Sequence, residues 1–122
     1  MTASRIMIID DNHMNLELVS YMLEANGYIV KVECGAATAL NSLPEFRPDL
    51  ILMDIQLPDM DGLELTRRLK ADPATSGIVV VAFTAYAMKG DEAKMLAAGC
   101  DGYISKPINV STFISQVRAG LP

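Results

Sequence analysis

The chain has 122 residues, 51% of them hydrophobic, and a formal net charge of −5. That is enough chain for one hydrophobic core and too apolar a composition for disorder. The acidic balance repels phosphate backbones and anionic lipid, so direct nucleic-acid or membrane binding is not expected.

Apolar runs stay far below the roughly 20 residues that span a bilayer. The first strand-like run begins almost at the N-terminus, leaving no length for a signal peptide and pointing to a cytoplasmic protein. The two cysteines, Cys34 and Cys100, lack the spacing of a disulfide framework or zinc site and read as reduced packing residues. No repeat or linker interrupts residues 1–122, which read as a single domain without an output domain; any output domain would have to lie outside this chain.

Residues 5–9 form a nearly continuous apolar run that stops at Asp10. Such runs suit strands buried on both faces of a parallel sheet. Residues 12–26 read as a helix with Met14, Leu18, Met22 and Ala25 along its buried stripe. Asp11 or Asn12 caps its start and Gly27 ends it. Residues 28–32 are a second strand, where Lys31 and Glu33 suggest a sheet edge. Residues 36–43 form a short helix ended by Pro44. Residues 49–53, the most apolar strand, stop at Asp54. Pro58, Asp59, Asp61 and Gly62 make a loop before a third helix over 63–71, with Leu65 and Leu69 four apart. A valine-rich strand over 78–83 ends at Thr84, and a helix over 89–98 is closed by Gly99. A short fifth strand over 102–105 precedes Lys106-Pro107, and residues 110–119 are the last helix.

Five strands alternating with five helices imply an α/β fold, a doubly wound five-stranded parallel sheet. The flavodoxin-like order 2-1-3-4-5 is the natural candidate. It sets Cys34 and Cys100 at opposite edges and opposite ends of the sheet, out of bonding reach.

The polar residues fall at one end of that sheet. Taken singly, Asp10-Asp11 and Thr84 read as helix caps, Asp54 as a turn residue and Lys106 as a surface lysine. Together they sit at the carboxyl ends of four strands, where open parallel sheets bind ligands. Carboxylates about 4 Å apart repel by about 4 kcal/mol per pair at an effective dielectric near 20. Asp10, Asp11, Asp54 and Lys106 sum to a formal charge of −2, which a divalent cation balances. Oxygen ligands select Mg²⁺, Mn²⁺ or Ca²⁺ over zinc, and a small open site favours Mg²⁺. With a carboxylate nucleophile, a hydroxyl and a lysine, these are the parts needed for phosphoryl transfer.

I-I-D-D at 8–11, L-I-L-M-D-I-Q-L-P-D-M-D-G at 50–62, F-T-A at 83–85 and Y-I-S-K-P-I at 103–108 resemble the receiver domains of two-component response regulators. The resemblance covers the whole chain in order. D-N-x-x-N at 11–15, A-M-K-G-D-E at 87–92 and G-C-D-G-Y-I-S-K-P at 99–107 look most like single-domain regulators of the DivK type. Similar stretches occur in the receiver modules of hybrid histidine kinases.

The resemblance implies that Asp54 accepts a phosphoryl group from a phosphohistidine. Asp11, Asp54 and the Gln56 carbonyl would hold Mg²⁺ directly, and Asp10 through a water. Lys106 would contact the phosphoryl group, aimed by a cis bond before Pro107. Thr84 and Tyr103 would form a switch pair, although Tyr103 also reads as an edge-strand aromatic packed on the fourth helix. The implied partners are a sensor histidine kinase or histidine phosphotransfer protein, and a target protein on the face of helix four, strand five and helix five. No external substrate turns over. Gln56 and Tyr86 would border the path of attacking water, and the bulk of Tyr86 points to slow autodephosphorylation. Met88 and Met95 read either as partner surface or as core filling. His13 reads as exposed and unpaired.

Two rivals share parts of this pattern. A haloacid-dehalogenase-type phosphatase also has an aspartate after an apolar strand, but it needs a second acid where this chain has Gln56. A flavodoxin needs a hydroxyl- and glycine-rich phosphate loop where this chain has Asp10-Asp11-Asn12.

Overall fold

A computed structural model describes residues 3–85 and 91–121. In chain order the elements are β1 (Arg5–Ile9), α1 (His13–Ala25), β2 (Ile29–Glu33), α2 (Ala36–Phe46), β3 (Leu50–Met53), α3 (Gly62–Ala71), β4 (Val79–Thr84), α4 (Asp91–Ala98), β5 (Gly102–Ser105) and α5 (Phe113–Gly120). All neighbouring strands pair parallel, in the order β2-β1-β3-β4-β5. This is the expected doubly wound sheet.

Successive strand side chains point to opposite faces, so the apolar runs feed two cores. Met7, Ile9, Ile51, Met53, Val80 and Ala82 pack with Ala39 and Leu43 of α2, Leu65 and Leu69 of α3 and Met95 of α4. Ile6, Ile8, Leu50, Leu52, Val81 and Phe83 pack with Leu16, Val19 and Leu23 of α1 and with Phe113 and Val117 of α5. Burial on both faces explains why these strands lack alternation. Met95 is therefore core filling. The edge strand β2 exposes Lys31, as expected, but Glu33 is buried, with its carboxylate accepting from the Ser42 hydroxyl.

Three expectations are corrected. The buried stripe of α1 is Leu16, Val19 and Leu23, whereas Met14 is 81% exposed, Leu18 44% exposed and Ala25 exposed; Met22 is only partly buried. This helix is apolar on two faces, and periodicity cannot choose between them. Asn12, whose side chain accepts from the Asn15 N–H, starts the helix with its 16–19–23 row toward the sheet. Leu16→Ala is accordingly expected to cost about 2 kcal/mol and Leu18→Ala under about 0.5 kcal/mol in urea titrations. Equal costs would return the stripe to Leu18.

Pro44 does not end α2, which runs on to Phe46. Lying in the last turn, it deprives one carbonyl of a donor and leaves the preceding turns intact. The helix closes at Arg47, in the left-handed region at φ 50°, whose N–H donates to the Leu43 carbonyl. The last helix starts at Phe113, later than expected, because the Asn109 carbonyl takes the Thr112 and Phe113 N–H groups in a preceding turn.

Candidate functional site

Three strand ends and the residue after β5 bring the polar groups together. Asp10 follows β1 and is fully buried. Its N–H donates to the Glu33 carbonyl at 3.0 Å, and its Oδ1 accepts from the Asn12 N–H at 2.9 Å. Asp54 follows β3, where its N–H donates to the Ile9 carbonyl at 2.9 Å, so the strand ladder fixes its backbone. Its Oδ1 accepts from the Gln56 N–H at 3.1 Å. Asp11 is exposed beside them, and carboxylate oxygens of Asp10, Asp11 and Asp54 lie within 4.8 Å of one another.

Lys106 enters from beyond β5. Its N–H donates to the Thr84 carbonyl at 2.8 Å, and the Lys106-Pro107 peptide is cis, as expected. Its Nζ stands 2.8 Å from Asp10 Oδ2, 3.4 Å from Asp54 Oδ2 and 5.0 Å from the centre of the Phe83 ring. Thr84, the last residue of β4, is buried. Tyr103 is 40% exposed on β5 and pairs with Ala82. Ala82 and Thr84 share a face, so Tyr103 lies on the Thr84 side of the sheet. Tyr86 and Met88 lie outside the described residues. His13 is exposed at the start of α1. Cys34 is exposed and Cys100 buried, and both are free.

In the sequence Asp59 and Asp61 read as loop residues. Asp61 in fact caps α3, accepting from the Leu63 N–H at 2.8 Å. Asp59 caps α2 across 23 residues, through the Ala36 N–H. Such a long-range cap has no local signature. The one hint was Gly35, which precedes α2 without a capping side chain.

Burial pushes the Asp54 carboxyl up from its ordinary 3.8 to about 6. The Gln56 N–H and the Lys106 ammonium act against this, and the Asp10 charge adds to it. Residues 6–118 match the family model described as the response regulator receiver domain. The chain belongs to the response regulator receiver family. The polar-differentiation response regulator DivK of Brucella anthropi is 47% identical over 116 residues, which cover 95% of this chain and 94% of that protein. A CheY-like receiver domain protein from Methanospirillum hungatei is 31% identical, with a TM-score of 0.88, covering 97% of this chain and 93% of that one. The receiver domain of a Pseudomonas aeruginosa sensor histidine kinase, described with a magnesium ion in its active-site cleft, is 30% identical. Its TM-score is 0.87 and the match covers 98% of each chain.

This receiver is thus a two-component signalling domain, and receivers work through phosphorylation and Mg²⁺. Among the described residues, no helix is long and apolar enough to cross a membrane. Among the described residues, two of its three clustered carboxylates, Asp10 and Asp54, pair with Lys106 and Asp11 stands exposed beside them, a donor set that fits a hard divalent cation.

The metal-free receiver carries a measurable cost. Between about pH 4 and pH 6 the folded protein keeps the Asp54 proton that the unfolded chain has lost. Stability therefore falls as pH rises through that window, and the full cost stands above about pH 6. The difference corresponds to at most about 3 kcal/mol. Asp54→Asn should raise metal-free stability by that amount at about pH 7.5 and not at about pH 3.5. A less stable Asn variant at neutral pH would contradict this.

Proposed function

We propose that this receiver takes a phosphoryl group onto Asp54 from a phosphohistidine and uses it to switch a protein-binding face. The observation that carries the reading is the position of the Asp54 carboxylate, buried between the Lys106 ammonium and two further aspartates. An Asp54 oxygen forms the new bond to phosphorus as the donor's N–P bond breaks, and the imidazole keeps the bonding pair. The Gln56 N–H holds Oδ1, which orients the carboxylate for attack. Lys106 sits where its ammonium can follow charge onto the phosphoryl oxygens, and the Thr84 hydroxyl is the second donor. Asp11, Asp54 and the Gln56 carbonyl would ligate Mg²⁺, with Asp10 in support. Mg²⁺ bound there would offset the carboxylate repulsion and the charge of the incoming group.

Thr84 and Tyr103 form the switch pair in this reading. Thr84 draws toward the phosphoryl group, and Tyr103 turns in from its half-exposed position. The readout surface is α4, β5 and α5, where a target protein gains or loses affinity. The phosphodonor is a histidine kinase or histidine phosphotransfer protein in the cytoplasm. The domain catalyses its own phosphorylation and hydrolysis and turns over no other substrate.

The test is intact mass after incubation with acetyl phosphate. With Mg²⁺ the protein should gain one phosphoryl group, and the gain should vanish with a chelator or in Asp54→Ala. A folded wild-type protein that gains nothing under any condition would leave a binding scaffold as the better reading.

A further inference from the structure

The loop between β3 and α3 is fastened at its tip to another element. Helix α2 begins after Gly35, which offers no side chain to the first free N–H groups. Asp59 supplies both acceptors: its Oδ1 takes the Ala36 N–H at 2.9 Å and its Oδ2 the Ala37 N–H at 3.0 Å. The bonds from Ala37 and Ala36 hold its carboxyl below the usual range, as expected for an anion at a helix N-terminus. The base of the loop is closed separately, by the Gly62 N–H on the Ile55 carbonyl at 2.7 Å and by a bridge between Gln56 and Asp61. Within it, just three residues before Asp59, lies the Gln56 peptide, whose N–H meets Asp54 Oδ1 at 3.1 Å.

We propose that Asp59 is a positioning residue for the phosphoacceptor: seating the loop tip on α2 sets the Gln56 peptide against Asp54 and so tightens the metal site. The inference rests on the reading of the acidic cluster as a Mg²⁺ site. Asp59 acts through the backbone of residues 56–58. Its role at the site is separable from its role as a helix cap, because the cap can be supplied locally. Gly35 is extended, at φ −161° and ψ 173°, a conformation open to any residue. A Cβ there lies 3.1 Å from Asp59 Oδ1, and removing that carboxylate clears the space. Asp59→Ala with Gly35→Ser therefore gives α2 a serine cap while leaving the loop tip unattached.

The experiment compares wild type, Asp59→Asn, Asp59→Ala and the double variant by calorimetric Mg²⁺ titration, thermal midpoint and amide exchange at Gln56. Asp59→Ala should lose thermal stability and bind Mg²⁺ about tenfold more weakly. The double variant should regain the midpoint and keep the weak binding, with faster Gln56 exchange in the metal-free protein. Asp59→Asn, which keeps one acceptor oxygen, should fall between wild type and Asp59→Ala. Wild-type Mg²⁺ affinity and Gln56 exchange in both alanine variants would overturn the positioning role and leave a plain helix cap. A wild-type protein that binds no Mg²⁺ would overturn the metal-site reading and the positioning role with it.

Discussion

Lys106→Ala is expected to slow phosphoryl uptake from acetyl phosphate by about 100-fold or more at saturating Mg²⁺, the scale for losing a donor aimed at developing charge. Among the described residues, Lys106 is the only basic side chain paired with Asp10 and Asp54, at 2.8 Å from the first and 3.4 Å from the second. Its chain is held in place by the Thr84 carbonyl and lies against the Phe83 ring, so the ammonium is set before any ligand arrives. Removing it also leaves the fully buried Asp10 without a cation, a change that costs about 3–5 kcal/mol in comparable buried pairs. The metal-free variant should accordingly be less stable, and Mg²⁺ should recover part of the loss. Uptake is therefore compared per folded molecule, with circular dichroism reporting the folded fraction. A wild-type rate in the folded variant would remove Lys106 from the mechanism.

Gly62→Ala should destabilise the protein by about 4 kcal/mol or more and remove phosphoryl uptake, an effect at the far end of the usual range. A Cβ at Gly62 would stand 2.3 Å from the Asp54 carbonyl oxygen and 2.7 Å from the Ile55 Cα. Both are backbone atoms and cannot swing aside. The same glycine donates to the Ile55 carbonyl, so moving α3 away would also open the base of the loop. Gly27→Ala is the control. Gly27 has φ +88° with nothing within 4 Å of a Cβ, so only the backbone conformation opposes the change. That costs about 1 kcal/mol and leaves uptake intact. Similar losses in the two variants by urea titration would show that close packing against the phosphoacceptor backbone matters little.

The strand ends were legible because burial leaves a strong mark. A parallel strand covered on both faces tolerates few polar groups, so Asp10, Asp54 and Thr84 stood out at the points where the apolar runs stopped. Their convergence followed from parallel topology alone. Other features left weaker marks. Helix α1 has two apolar rows, and only its three-dimensional setting showed that Leu16, Val19 and Leu23 face the core rather than Met14 and Leu18. Pro44 suggests a stop because its interior cost is large, yet in a last turn that cost is small. The start of α5 depended on a single carbonyl, that of Asn109. Asp59 and its contact with α2 span 23 residues, and no local pattern encodes that.

The most direct measurement of the central claim is to trap the phosphorylated residue itself. Borohydride reduces an acyl phosphate and converts the modified aspartate to homoserine, which peptide mass spectrometry locates. After treatment with acetyl phosphate and Mg²⁺, homoserine is predicted at position 54 and nowhere else. Homoserine at Asp10 or Asp11, or a phosphoryl group that survives borohydride on another side chain, would contradict the assignment of Asp54.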